Sequence, residues 1–203
     1  MKKRLSFIPA MLVLALACST QSGVSSQDNK PQSQTTPART PQANPQSSPQ
    51  AGAAMKALRD RLLTSSPKEV GLSGEDATAK VWGVLMEVAL PDGVATLVSV
   101  RDGTASLYTS TGGGILGGYR ARNEAKRFVA EAEKHLASMK PTKSFPYPEV
   151  GRMKFYVLTQ DGVYTADENG KELAREGHPL FPLFYAGNEV LTALRTANQG
   201  AKP

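Results

Sequence analysis

The chain predicts an α+β domain: an antiparallel sheet of about five strands with flanking helices, in the order α-β-β-β-α-β-β-(β)-α. Three observations carry this reading. Val81 to Leu90, Val94 to Val100 and Thr104 to Ser110 are short, partly β-branched runs, joined by Pro91-Asp92-Gly93 and Arg101-Asp102-Gly103, which have hairpin chemistry. Ala125, Phe128, Val129, Ala132, Leu136 and Met139 recur at helical spacing, with Arg122, Lys126, Glu133 and Lys134 mostly on the other side. Two further runs, Met153 to Thr159 and Val163 to Ala166, meet at Asp161-Gly162. Strands joined by tight turns and interrupted by helices belong to α+β architecture.

The remaining elements follow in order. Met55, Leu58 and Leu62 give a first helix whose Lys56, Arg59, Asp60 and Arg61 are expected to face water, and Pro67 closes it. The run Val81–Leu90 is nearly all apolar. Gly112 to Gly118 is a glycine-rich loop opening onto the central helix, which Pro141 ends. Lys143 to Pro148 reads as a linker. Glu168-Asn169-Gly170 is expected to form a further hairpin toward Leu173. Leu183, Phe184, Gly187, Val190, Leu191 and Leu194 give a last amphipathic helix, with Pro182 near its start, where proline is tolerated.

Ahead of this domain the composition changes twice. Residues 1–17 have a basic start (Lys2, Lys3, Arg4) and an apolar run that is too short to span a bilayer, the pattern of a secretory signal peptide. Residues 18–53 are dominated by Gln, Ser, Thr, Pro, Asn and Ala, and are expected to be a disordered stalk. The folded domain is then expected over 54–203. The stretch Leu14-Ala15-Leu16-Ala17-Cys18 resembles a bacterial lipoprotein signal in its looser form. Ala15 stands where leucine is usual, and Leu16 where a small residue is usual. The resemblance implies that Cys18 becomes the lipid-modified first residue. The chain is then exported and anchored to the bacterial membrane, on the periplasmic or cell-surface side. Two acyl chains suffice for stable anchoring.

The charge excludes one class of partner. The 203 residues carry 24 basic and 18 acidic side chains. Without Lys2, Lys3 and Arg4 this is 21 against 18, a net +3 with both signs interspersed. Nucleic-acid binding calls for basic residues clustered on one face. With a single cysteine, no disulfide forms within the chain.

The element order resembles that of roadblock and longin-type domains, relatives of the profilin-like scaffold, which implies a dimerising or partner-docking domain without catalysis. The stretch Ser106 to Gly114 is also similar to stretches in uncharacterised bacterial proteins, which implies no function. The candidate ligand-binding residues are Gly112, Gly114, Gly117, Gly118, Arg120 and His178. Gly112-x-Gly114-x-x-Gly117 matches the form of a dinucleotide fingerprint, but that fingerprint needs a parallel βαβ unit, and these strands read as hairpins. A phosphate loop would need Lys and Ser/Thr where Tyr119 and Arg120 follow Gly118. An anion at the start of the central helix, helped by Arg120 and Arg122, remains open. His178 is the better placed of the two histidines, in a loop before the last helix. Phe145, Tyr147, Phe181, Phe184 and Tyr185 cluster around two proline-rich turns and offer either core or a docking surface. No catalytic set, metal site or cofactor is implied. The expected function is a membrane-tethered, non-enzymatic domain that binds an unknown protein or self-associates. The alternative is a small-ligand or anion binder using the glycine-rich loop.

Overall fold

The computed structural model of the chain describes residues 49–199; the signal segment, Cys18 and the expected stalk up to residue 48 lie outside the described residues, and the last five residues of that expected stalk, 49–53, are instead the start of a helix. Two helices come first, α1 (Pro49–Thr64) and the short α2 (Gly74–Thr78). The hairpin chemistry at Asp92-Gly93 and Asp102-Gly103 then produces the meander β1 (Val81–Leu90), β2 (Gly93–Val100) and β3 (Ala105–Thr109). Met86 pairs with Leu97, and Leu97 with Leu107. The two-residue β4 (Gly114–Ile115) turns back along β3. Next come α3 (Arg122–His135), a 3-10 turn over Leu136–Ser138, and β5 (Lys140–Thr142). The hairpin β6 (Arg152–Thr159) and β7 (Gly162–Asn169) leads to a helical turn, α4 (Gly170–Leu173), and to α5 (Phe181–Gln199).

The α+β class holds, but the sheet has seven strands in the order β4-β3-β2-β1-β6-β7-β5, all antiparallel. The two beyond the expected five are the shortest, and both are edges. β4 lies inside the glycine-rich segment. β5 contains Pro141, which an edge strand tolerates because the missing N–H need not join a ladder. The expected hairpin at Asn169-Gly170 does not form. Asn169 Oδ1 instead accepts the N–H groups of Lys171 and Glu172, which starts α4, and Leu173 is buried.

Helices cover both faces of the sheet. On one, Val84, Met86, Phe155 and Val157 pack against Phe128, Val129 and Ala132 of α3 and Leu183, Val190 and Leu194 of α5. A fully buried side chain of this size contributes about 1.5–3 kcal/mol. Gly187 lets α5 come close, since a Cβ there would lie 2.8 Å from Met86 Sδ and 3.2 Å from Phe128 Cζ. On the other face lie Trp82, Leu85, Val98, Val100, Tyr108, Tyr156 and Leu158. A β-bulge between Val81 and Gly83 brings Trp82 onto this face beside Leu85.

α1 lies over that second face, and its orientation departs from the pattern expected of it. Leu58 is 42% exposed, whereas Arg59, expected in water, is 2% exposed and turned onto the sheet with Leu63. Met55 and Leu62 are half-buried. The apolar spacing is that of a helix, but the buried stripe is shifted by one residue, because Arg59 meets a partner that the sheet provides.

Candidate functional site

That partner is Glu87. The antiparallel register aligns one residue from each of five strands in a row beneath α1: Tyr108, Thr96, Glu87, Lys154 and Asp167. Every one of them is polar. The next row along, Ser106, Val98, Leu85, Tyr156 and Thr165, is apolar at its centre. Glu87 occupies the middle strand, is 0% exposed, and is the only carboxylate in its run of ten residues.

A buried carboxylate needs a cation and hydrogen bonds. Arg59 donates to Glu87 through Nε to Oε1 and through Nη2 to Oε2 at 2.8 Å, a two-pronged pairing that suits the flat guanidinium. Thr96 Oγ1 donates to Glu87 Oε1 at 3.1 Å. The guanidinium lies over the Tyr147 ring, 4.2 Å from its centroid, and 5.5 Å from that of Tyr156. Tyr147 belongs to the stretch Lys143–Pro148, which straps this face. Pro146 O accepts from Tyr156 Oη at 2.6 Å and Lys154 Nζ at 3.3 Å, and Phe145 stands edge-on to Tyr156. Lys154 also pairs with Asp167. The Tyr108 hydroxyl is buried here without a hydrogen-bond partner.

Three phenols therefore gather here, Tyr108 and Tyr156 buried and Tyr147 half-buried. Burial pushes Tyr108, Tyr147 and Tyr156 above the ordinary 10.0, Tyr156 to about 12, and the Glu87 charge adds to the rise. A phenol raised in the fold contributes stability below its unfolded value and loses it as pH climbs through the folded one. The unfolding midpoint in urea is therefore expected to fall between pH 10 and about 12. Tyr156→Phe should flatten part of that fall, and an equally steep fall in the variant would disprove the assignment.

The residues picked out from sequence do not converge. Gly112, Gly114, Gly117 and Gly118 lie at the β4 edge, and all have positive φ. The loop's amides are partly engaged: Gly112 N–H donates to Thr109 O, and Gly117 N–H to Ser106 Oγ. Arg120 is exposed, while Arg122 stacks on Tyr119. His178 sits near β7, its Nδ1 accepting from Leu180 N–H and its Nε2 3.7 Å from Glu168 Oε2. β3, β2, β1 and β6 lie between β7 and the loop's β4. The aromatic group divides as well: Phe145 and Tyr147 lie under the α1 side, whereas Phe181, Phe184 and Tyr185 cluster on α5.

That second cluster borders a groove of about 400 Å³ between α3 and α5, lined by Glu124, Arg127, Tyr185, Asn188 and Glu189. Tyr185 is 52% exposed. Arg127 lies between Glu124 and Glu189, at 3.3 and 3.7 Å.

No protein-family model, curated protein or solved structure matches the chain. Among the described residues no helix is long and apolar enough to cross a membrane, and no three His, Cys, Asp or Glu residues are grouped to hold a metal ion.

Proposed function

We propose that the chain is an exported lipoprotein, tethered through Cys18, whose roadblock- or longin-like domain docks a protein partner without catalysing a reaction. The observation that carries the docking reading is Tyr185. A large aromatic ring stands half out of the fold, backed by Phe181 at 6.3 Å between ring centres, with Arg127 and two glutamates beside the adjoining groove. An aromatic anchor next to an arginine, rimmed by charge, is the composition of an interaction hot spot.

Two measurements test the two halves of this reading. Cys18→Ser is expected to move the protein from the membrane to the soluble fraction, and a wild type already washed off without detergent would refute the tether. A photo-cross-linking residue at position 185 is expected to capture a discrete partner in the cell envelope, whereas the same residue at exposed Lys171 is not. Equal labelling from both positions would refute the docking surface.

A further inference from the structure

The glycine-rich segment carries two large apolar side chains that the fold leaves outside, Leu116 (52% exposed) and Tyr119 (56% exposed). Their backbone is fixed. Gly117 N–H donates to Ser106 Oγ at 2.7 Å, and Gly118 O accepts from Ala105 N–H at 3.1 Å, so the chain is pinned to β3 between them. Tyr119 is held as well: its Oη donates to Asp102 at 3.1 Å, and the Arg122 guanidinium lies 4.7 Å from its ring centre. Apolar residues scattered singly on a surface call for no explanation. This pair stands next to one-sided charge.

From Leu116 to Arg127 the chain has four cations and one acid, Glu124. Glu124 is committed to Arg127 at 3.3 Å, and the neighbouring Arg101 to Glu133 at 3.1 Å. Arg120, Arg122 and Lys126 are exposed and make no ion pair among the described residues. Nearby Asp102 is part-buried and accepts from Thr104 as well as from Tyr119. Three uncompensated cations thus flank two exposed apolar groups at the β4 edge of the sheet.

We propose that residues 116–126 form a membrane-contacting edge: Leu116 and Tyr119 enter the interface of an anionic bilayer, and Arg120, Arg122 and Lys126 meet its phosphates. A bilayer rewards both kinds of side chain at once. Tyrosine settles at headgroup level, leucine reaches the acyl boundary, and basic residues are drawn to anionic headgroups. A nucleic acid rewards the cations but leaves Leu116 in water. The proposal rests on the tether of the proposed function for proximity alone; the edge decides which side of the domain faces the bilayer. Each basic residue near an anionic surface biases contact about fivefold. Contact of that strength takes effect in a chain already held at the surface, where the local concentration is high.

The test supplies its own tether. Cys18 is the single cysteine, so the chain from residue 18, which retains every described residue, is coupled through that thiol to a maleimide lipid in vesicles. Trp82 is the single tryptophan and is buried, so a tryptophan placed at Tyr119 or at exposed Lys171 reports its own surroundings over a constant background. Lipids brominated in their acyl chains quench a tryptophan that reaches them. On phosphatidylcholine vesicles containing phosphatidylglycerol, Tyr119→Trp is expected to be quenched and Lys171→Trp is not. Leu116→Trp, which keeps the Tyr119 contacts, is a second reporter with the same expected result. Adding Arg120→Glu and Lys126→Glu is expected to lower the ratio of docked to free domain at least about 25-fold, two fivefold steps, and so to remove the quenching. Lys171→Glu with Arg175→Glu makes the same change in net charge elsewhere and is expected to preserve it. Equal urea midpoints check that both charge variants fold. Quenching that is absent at 116 and 119, equal at 119 and 171, lost alike in both charge variants, or undiminished on phosphatidylcholine alone overturns the proposal. Because the coupling is chemical, a chain found to carry no lipid in the cell refutes the tether and leaves this result standing.

Discussion

Arg59→Met is expected to strip α1 of its hold on the sheet. Removing one member of a buried pair leaves the other uncompensated, at a cost of about 3–5 kcal/mol. Glu87 is 0% exposed, and its other donor is the Thr96 hydroxyl, too little to stabilise a full charge in that layer. Against this, Leu63 contributes about 1.5–3 kcal/mol of apolar burial, and Met55 and Leu62 a part of that each. The penalty is as large as the apolar docking of the whole helix. The helix should therefore leave and let Glu87 hydrate, while α3 and α5 keep the rest of the sheet folded. Hydrogen exchange resolves this: amides of α1 are expected to exchange about 100-fold faster, equivalent to about 2.7 kcal/mol, with those of α3 little changed. Arg59→Met/Glu87→Leu should recover most of the loss, because a well-packed apolar pair replaces a buried ion pair at little or no cost. A single variant with normal α1 protection would mean that Glu87 does not depend on Arg59.

The elements legible in the sequence are those whose local chemistry and tertiary role agree. β1 runs from Val81 to Leu90 in both sequence and structure, because an apolar run ends at a Pro-Asp-Gly turn and nothing distant overrides that. The central helix is legible because its apolar stripe is what the sheet receives. Where sequence and structure part, distant partners decide. β4 and β5 are strands by virtue of pairing with β3 and β7, and two or three residues carry no period of their own. Asn169 suits a hairpin, but the same side chain caps helices, and its choice depends on where Leu173 is buried. The polar layer is the least legible part of the fold, yet it leaves a trace: Glu87 is a lone carboxylate in an otherwise apolar strand. A charge at a core position demands an opposite charge somewhere in the chain. Sequence alone does not say which of the 24 basic residues answers it, because Arg59 and Glu87 are 28 positions apart on different elements. The glycine-rich loop is the reverse case: conspicuous in sequence, it forms the β4 edge of the sheet.

The roles of those glycines separate under substitution, and Gly114→Ala is expected to be the severe case. Its φ of +141° is a conformation that side-chain-bearing residues rarely adopt, and β4 presses it against β3. A Cβ there would lie 2.2 Å from Leu107 O and 2.6 Å from Tyr108 Cα, both backbone atoms that no side-chain rotation moves. Either β3 shifts, which disturbs the row running from Tyr108 through Thr96 to Glu87, or β4 peels away and Ile115 leaves the core. Each route carries strain or lost burial of about 1–3 kcal/mol, on top of the backbone cost that a side chain bears at this φ. Gly117 provides the control. Its φ is +59°, and a Cβ there meets nothing within 4 Å, so Gly117→Ala bears only the left-handed backbone cost of about 1–2 kcal/mol. Urea unfolding of the two variants decides the matter. A midpoint for Gly114→Ala well below that for Gly117→Ala places the loop's importance in its packing on β3. Equal midpoints would remove that packing argument and return the loop to the ligand-binding candidates.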